Sequence, residues 1–222
     1  MTSATVTNSP VIKGLAIYGG TFDPVHIGHL RSAIEVKALL NVTELRMVPS
    51  FLPPHRDQPG ASPEARRAML DLAIAGLEGI SIDDRELRRE GKSYAIDTLE
   101  ELRSEIGPAA PLFFVLGEDA FALIHTWHRW TELTDYAHFV VLKRPFEAAT
   151  LKEPVLEWLQ GKEIADVSSL NAEPAGRVVT VKLAQWEVSA TDIRRRIQLA
   201  QSIDFLVPGP VQDYLIEQQL YQ

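Results

Sequence analysis

An α/β fold, a mostly parallel sheet with helices on both faces and a small C-terminal helical part, is predicted by three features of the sequence. Short continuous apolar runs recur at Leu15–Tyr18 (LAIY), Leu112–Leu116 (LFFVL) and Phe139–Leu142 (FVVL), as expected of strands buried on both faces. Helical stretches separate them, the order in which helical crossovers join parallel strands. The chain has 222 residues, 45% apolar and 23% charged, enough to bury a sizeable core in a globular protein.

Along the chain, residues 1–13 read as a flexible lead-in and 14–222 as one domain, with no repeat or low-complexity tract. LAIY runs into Gly19-Gly20, and a helix follows over Ile27–Leu40. Leu45–Val48 reads as a strand, Glu64–Leu77 as a helix and Ile80–Ile82 as another short strand. Tyr94–Ile106 is helical, Leu112–Leu116 is the strongest buried-strand signal, and Phe139–Leu142 repeats it. Val178–Leu183 is a later strand, and helices over Thr191–Ala200 and Val211–Leu220 close the chain. Thr150–Arg177 carries no functional signal.

Composition narrows the chemistry. With no cysteine, disulfides, thiolate catalysis and cysteine-ligated zinc drop out, and a reducing, cytoplasmic setting is the simplest. No basic leader with a long apolar run and no segment of membrane-spanning length is present. A net charge of −8 disfavours a general nucleic-acid surface, which depends on Lys and Arg. An anionic ligand then needs a local basic pocket.

Ligands in such sheets sit beyond the carboxyl ends of the strands, where strand order reverses, and the motifs fall there. "GGTFDPVHIGH" follows the first strand. Gly19 and Gly20 permit unusual backbone angles and close ligand approach. Asp23-Pro24 reads as a turn or a helix-entry signal. His26 and His29, three apart, fall on one side of a first helical turn, where N–H groups and the dipole favour anions. Alternatively, Gly-Gly is an ordinary turn and the histidines are surface or capping residues. In "WEVSATDIRRRIQ", Ser189 and Thr191 stand at a strand-to-helix junction with Arg194 one turn on, serving as caps or as a second phosphate grip. The charged run "DDRELRREGKS" reads as a solvated face or loop.

An early H-x-G-H with a late S-x-T-x-I-R resembles the nucleotidylyltransferase superfamily and implies its Rossmann-like fold. GGTFDPVHIGH, VPSFLPPHR, SYAIDTL, FFVLGEDAF, TWHRW, LKRP and VSATDIR together resemble the bacterial nicotinate-nucleotide adenylyltransferase family over Leu15–Tyr221. The resemblance implies AMP transfer from ATP to nicotinate mononucleotide, with Mg²⁺ travelling on the ATP phosphates and no protein metal ligand. It implies catalytic roles for His26, His29, Ser189, Thr191 and Arg194. For ATP it points to Gly19, Gly20, Thr21, Phe22, His29, Gly117, Asp119, Arg144, Ser189, Thr191 and Arg194.

For nicotinate mononucleotide it points to His55, Arg56, Tyr94, Ala95, Ile96, Thr98, Trp127 and His128. Trp127 would stack on the pyridine, while backbone N–H groups near Ala95 and His128 would meet the carboxylate. Ala95 stands where the family usually has threonine, so a hydroxyl contact is lost there. Class I tRNA synthetases share the histidine signature, but their K-M-S-K-S-like loop and a tRNA-binding region are missing from this sequence. Nicotinamide mononucleotide and phosphopantetheine adenylyltransferases, and a silent nucleotide sensor, are the rival readings. A homo-oligomer is compatible with the sequence.

Overall fold

The protein is described as a computed structural model covering residues 12–51, 59–89, 92–143, 150–184 and 186–222. Its strands are β1 (Ile12–Gly20), β2 (Val42–Pro49), β3 (Ile80–Ile82), β4 (Leu112–Gly117), β5 (His138–Leu142), β6 (Glu163–Ile164) and β7 (Val178–Val181). They form one sheet in the order β3-β2-β1-β4-β5-β7-β6. Every described pairing is parallel. The chain first moves outward from β1 to β2 and β3, then returns to β4 on the other side of β1. The carboxyl ends of β1 and β4 therefore flank the point where strand order reverses.

The helices are α1 (Ile27–Leu40), α2 (Pro63–Ile74), α3 (Arg85–Arg88), α4 (Ala95–Ile106), α5 (Glu118–Phe121), α6 (Leu133–Tyr136), α7 (Glu153–Leu159), α8 (Ala190–Gln198) and α9 (Gly209–Glu217). Successive strand residues point to opposite faces, and here both faces are apolar. Ala16, Tyr18, Phe113 and Val115 join one core with residues of α1, α2, α8 and α9. Leu15, Ile17, Phe114 and Leu116 join a second with residues of α4, α6 and α7. The two C-terminal helices are thus built into the first core through Ile193, Val211 and Leu215.

Boundaries shift where caps or pairing decide them. Ser62 Oγ accepts from Ala65 N–H at 3.2 Å and Pro63 occupies the first position of α2, so that helix starts earlier and ends at Ile74. The last strand stops at Val181 because its pairing with β5 ends there. Ile12 and Lys13, assigned to the lead-in by sequence, open β1, with Ile12 paired to Val42; residues 1–11 lie outside the described residues. The 150–177 segment supplies α7 and the edge strand β6, each too short for a periodic signal.

His138, wholly buried at the start of β5, accepts Arg177 N–H at its Nδ1 (3.1 Å) and donates from Nε2 to the Glu173 carbonyl (2.8 Å). Burial pushes its pKa below the usual histidine value, outweighing the hydrogen bond to Glu173. The unfolded chain therefore binds a proton that the folded chain refuses, and stability is lost as pH falls through the ordinary histidine range. The expected result is a Tm that drops from about pH 7 to about pH 5, followed by thermal unfolding. His138→Phe keeps the stacking on Phe113 and should start less stable but show a flatter slope. Equal slopes would show that His138 does not carry this dependence.

Candidate active site

At the switch point lies a cleft of about 970 Å³, walled by the ends of β1 and β4, the first turns of α4 and α8, and the turn around Trp127. Gly19 and Gly20 occupy the last two positions of β1. A Cβ on Gly19 would stand 2.9 Å from the Phe114 ring, and one on Gly20 would stand 2.8 Å from the Phe22 ring. Close approach, rather than a special backbone angle, requires glycine at both. The left-handed conformation belongs instead to Phe22, at φ 50°.

His26 caps α1 and is buried, whereas His29 lines the cleft. Their rings stack with centroids 3.7 Å apart, and the Phe22 ring meets His29 edge-on at 5.0 Å. The His26 backbone N–H donates to His29 Nδ1 at 3.4 Å, which makes Nδ1 the accepting nitrogen and Nε2 the donating one. A Cβ on Gly28 would lie 3.1 Å from the His26 ring, so the glycine between the histidines makes room for the inner one. The first turn of α1 is less open to an anion than its sequence implies. Ile27 N–H is taken by the Leu206 carbonyl at 3.0 Å and His29 N–H by that of His26 at 3.0 Å.

Asp23 does not cap α1. Its buried carboxylate accepts from Gly60 N–H (2.8 Å), Ala61 N–H (3.1 Å) and the Tyr221 hydroxyl (2.5 Å). Arg194 approaches it at 3.7 Å and donates from Nη1 to the Asp23 carbonyl at 2.6 Å. Arg194 Nη2 reaches Thr191 Oγ1 at 3.4 Å, so the guanidinium is held on two sides at the mouth of α8. Burial and the Asp23 contact push the Tyr221 hydroxyl well above the usual tyrosine range. Beneath them Arg66 of α2, 0% exposed, donates to the carbonyls of Thr21 (2.8 Å), Ser50 (2.7 Å) and Phe51 (3.2 Å). It ties the ends of β1 and β2 together. Burial lowers its pKa, opposed chiefly by the charge of Asp23.

The opposite wall begins at α4, whose cap is Tyr94. The first amide taken within that helix is Thr98 N–H, by the Tyr94 carbonyl at 3.4 Å, so the preceding turn presents N–H groups without intrahelical partners. Trp127 tilts against Phe114 at 6.1 Å and His128 against Tyr94 at 4.6 Å. This turn is pinned to α4 by Arg129, which holds Glu100 at 2.9 Å and Glu132 at 2.6 Å. Glu86 of α3 also lines the cleft; burial raises its pKa, opposed by the hydrogen bond from Thr98 Oγ1 (2.8 Å) and by the Arg89 charge.

Residues 17–196 match the family model described as cytidylyltransferase-like. The chain belongs to that family. Among its relatives, a protein of Pseudomonas syringae pv. tomato named as a probable nicotinate-nucleotide adenylyltransferase is 44% identical over 210 residues, 95% of this chain and 94% of that one. One of Chromohalobacter salexigens with the same name is 44% identical over 208 residues, 93% and 95% of the two chains. A solved structure of the nicotinic acid mononucleotide adenylyltransferase of Plasmodium falciparum, complexed with NaAD, superposes with a TM-score of 0.72 at 19% identity. The match covers 94% of this chain and 97% of that one, and it establishes the shared fold.

Of the family positions expected from sequence, Gly19, Gly20, Thr21, Phe22, His29, Tyr94, Ala95, Thr98, Gly117, Asp119, Trp127, His128, Thr191 and Arg194 line the cleft. His26 stands behind His29 rather than in the wall. Ser189 Oγ accepts from Asp192 N–H at 3.1 Å and so acts as the cap of α8. The Ile96 side chain is fully buried in the second core, which leaves only its backbone for a ligand. His55, Arg56 and Arg144 lie outside the described residues. Sequence reasoning missed Arg66 and Glu86, and it gave Asp23 a different task. Arg66 had left a signal, since it falls with Ala65, Met69, Leu70 and Ala73 on the buried face of α2.

Proposed function

We propose that the chain transfers the adenylyl group of ATP to nicotinate mononucleotide, forming deamido-NAD and pyrophosphate in NAD biosynthesis. The observation that carries this reading is a cleft at the switch point with two unlike walls. One, on elements packed against the first core, presents His29, Thr191 and Arg194. The other, on elements packed against the second core, presents the first turn of α4 and the Trp127 indole.

The acceptor 5′-phosphate oxygen attacks the α-phosphorus of ATP in line, a new phosphoanhydride forms, and the α–β bond breaks to release pyrophosphate. The nucleophile is already an anion, so no general base is needed. Catalysis then consists of alignment and of charge stabilisation on the phosphoryl oxygens. His29 Nε2–H and the Arg194 guanidinium donate to those oxygens, and the Thr191 hydroxyl assists at the mouth of α8. His26 supports the His29 ring by stacking, and Ser189 fixes the start of α8. Gly117 gives the ATP ribose access, and Asp119 accepts from its hydroxyls. On the acceptor side, Trp127 stacks on the pyridine, while N–H groups of Ala95, Ile96 and His128 receive the nicotinate carboxylate, a contact a carboxamide satisfies less well.

ATP enters as its magnesium complex. Among the described residues no group of three or more His, Asp or Glu side chains converges to cage a cation, and the Asp23 oxygens are engaged in three hydrogen bonds. The described residues do not fit a resident metal site, and the ion's ligands would be phosphate and water. Among the same residues no helix is long and apolar enough to cross a membrane, and the reaction is assigned to the cytoplasm.

The test is pyrophosphate release with ATP and Mg²⁺, offering nicotinate mononucleotide, nicotinamide mononucleotide and phosphopantetheine in turn, with the product identified by mass. Strong preference for the first is expected. Preference for another acceptor would keep the chemistry and change the substrate. ATP binding without turnover on any of them would favour a nucleotide sensor.

A further inference from the structure

The turn that carries Trp127 and His128 is held from outside by the two helices beside it. Its backbone is extended at Trp127 (φ −78°, ψ 148°) and reverses at Arg129, whose φ of 52° and ψ of 35° are left-handed. A Cβ makes that conformation unfavourable, and the Arg129 side chain holds it. Nε and Nη2 donate to the two oxygens of Glu132 at 3.1 and 2.6 Å, closing the reversal on itself. Nη1 reaches across to Glu100 of α4 at 2.9 Å, on the oxygen that also accepts the Tyr136 hydroxyl at 3.1 Å. Farther along, the Trp158 indole of α7 donates to the Thr131 carbonyl at 3.0 Å, and its ring lies 5.4 Å from that of Trp130. Thus α7 fixes the far end of the turn. The Arg129–Glu100 pair ties the end bearing His128 to the helix whose cap, Tyr94, the His128 ring meets at 4.6 Å.

We propose that Arg129 and Glu100 are specificity-determining positioning residues. Their ion pair sets the spacing between the amides at the start of α4 and the amide of His128, and with it the preference for an acid over an amide on the acceptor's pyridine ring. The inference rests on the reading that those amides receive the nicotinate carboxylate. Neither side chain lies in the wall of the cleft, so both act through the backbone they hold. Hydrogen bonds to a carboxylate weaken steeply as distance and angle depart from the optimum, whereas stacking on the Trp127 indole depends mainly on contact area. A carboxylate therefore loses more than a carboxamide when the two sets of donors drift apart. An isolated exposed ion pair contributes little. Here one guanidinium engages three carboxylate oxygens on two elements, and a hydroxyl shares one of them, which makes a network.

The experiment is steady-state kinetics of the full chain with nicotinate mononucleotide as acceptor and nicotinamide mononucleotide as competing inhibitor. Glu100→Ala keeps a strong helix former on α4 and removes the tie. It is expected to raise the KM for nicotinate mononucleotide about fivefold, the scale of one charge-assisted bond in a surface network. The sign is diagnostic: loss of a negative charge near an anionic substrate would by field alone lower that KM. The Ki of nicotinamide mononucleotide, the KM for ATP and kcat at saturating acceptor should stay within about twofold. Arg129→Ala should raise the same KM, and Arg129→Lys, which keeps the charge without the fork, should recover part of the loss. If Arg129→Ala fails to fold, the Glu100 variant decides. Combined, the two alanine substitutions should be no worse than the more severe one, because they remove one shared linkage. Glu105→Ala removes the same charge from the last turn of α4, where the partners are Arg46 and Arg85; it is the control and should match wild type.

A KM for nicotinate mononucleotide that stays or falls in Glu100→Ala, a parallel rise in the Ki of the amide or in the KM for ATP, or additive effects would each overturn the proposal. Failure of wild type to use nicotinate mononucleotide would overturn the underlying reading and the inference with it. A normal wild type beside an unaffected Glu100 variant would overturn the inference alone.

Discussion

His29→Ala should fold and should lose about 10²–10³ in kcat, the usual cost of deleting one preorganised donor to a charged transition state. The ring is suited to that role by its surroundings. Stacking on His26 at 3.7 Å and the edge of Phe22 at 5.0 Å fix its plane. The His26 N–H at Nδ1 selects the tautomer protonated at Nε2. A donor held this way needs no reorganisation as negative charge builds on the α-phosphoryl oxygens. Its removal leaves an opening at the cleft wall rather than a void in the core, so the stability loss should be about 1 kcal/mol, the scale of a lost aromatic contact.

His26→Ala should behave differently. That side chain is enclosed between His29 and Gly28, and the variant should lower Tm more than the His29 change does. Pyrophosphate release and thermal unfolding on both proteins make the comparison. A well-folded His29→Ala protein with wild-type kcat would remove His29 from the catalytic set.

The motifs at strand ends were legible because parallel sheets place ligands there, and a strand followed by Gly-Gly and a histidine pair marks such an end without any tertiary knowledge. The reasons behind individual letters were less legible. Gly19, Gly20 and Gly28 each make room for a ring, from Phe114, Phe22 and His26, and one of those rings lies far away in sequence. Ser189 left two uses open, and the structure shows the capping bond to Asp192 N–H. DDRELRREGKS misled because alternating charge usually means a solvated face; here Asp83 and Glu86 are buried by partners on β2, α3 and α4. Asp23 and Tyr221 are 198 positions apart, and no local pattern announces such a pairing.

Asp23→Ala should be the most destabilising change in the site. The carboxylate satisfies two backbone N–H groups and the Tyr221 hydroxyl. It also compensates Arg66, a fully buried guanidinium whose own hydrogen bonds go to carbonyls. Removing the carboxylate leaves two buried N–H groups and a hydroxyl without their acceptor and takes away the charge that acts on Arg66, so the loss should be about 3–5 kcal/mol. Tyr221→Phe takes away a single hydroxyl and should cost about 1 kcal/mol. The two substitutions meet at one oxygen, so in a double-mutant cycle the second should add little to the first.

Activity should separate them further. Asp23→Ala loosens Arg194 and the Gly60–Ala61 turn together, so kcat should fall by more than stability alone accounts for at a temperature where the variant is folded. Replacing Arg66 by methionine in the Asp23→Ala background removes the stranded charge and should recover part of the lost stability. The same replacement should recover none of the lost kcat, since the methionine cannot bind the Thr21 and Ser50 carbonyls. Recovery of neither would mean that Asp23 stabilises the fold through its N–H and hydroxyl partners rather than through Arg66.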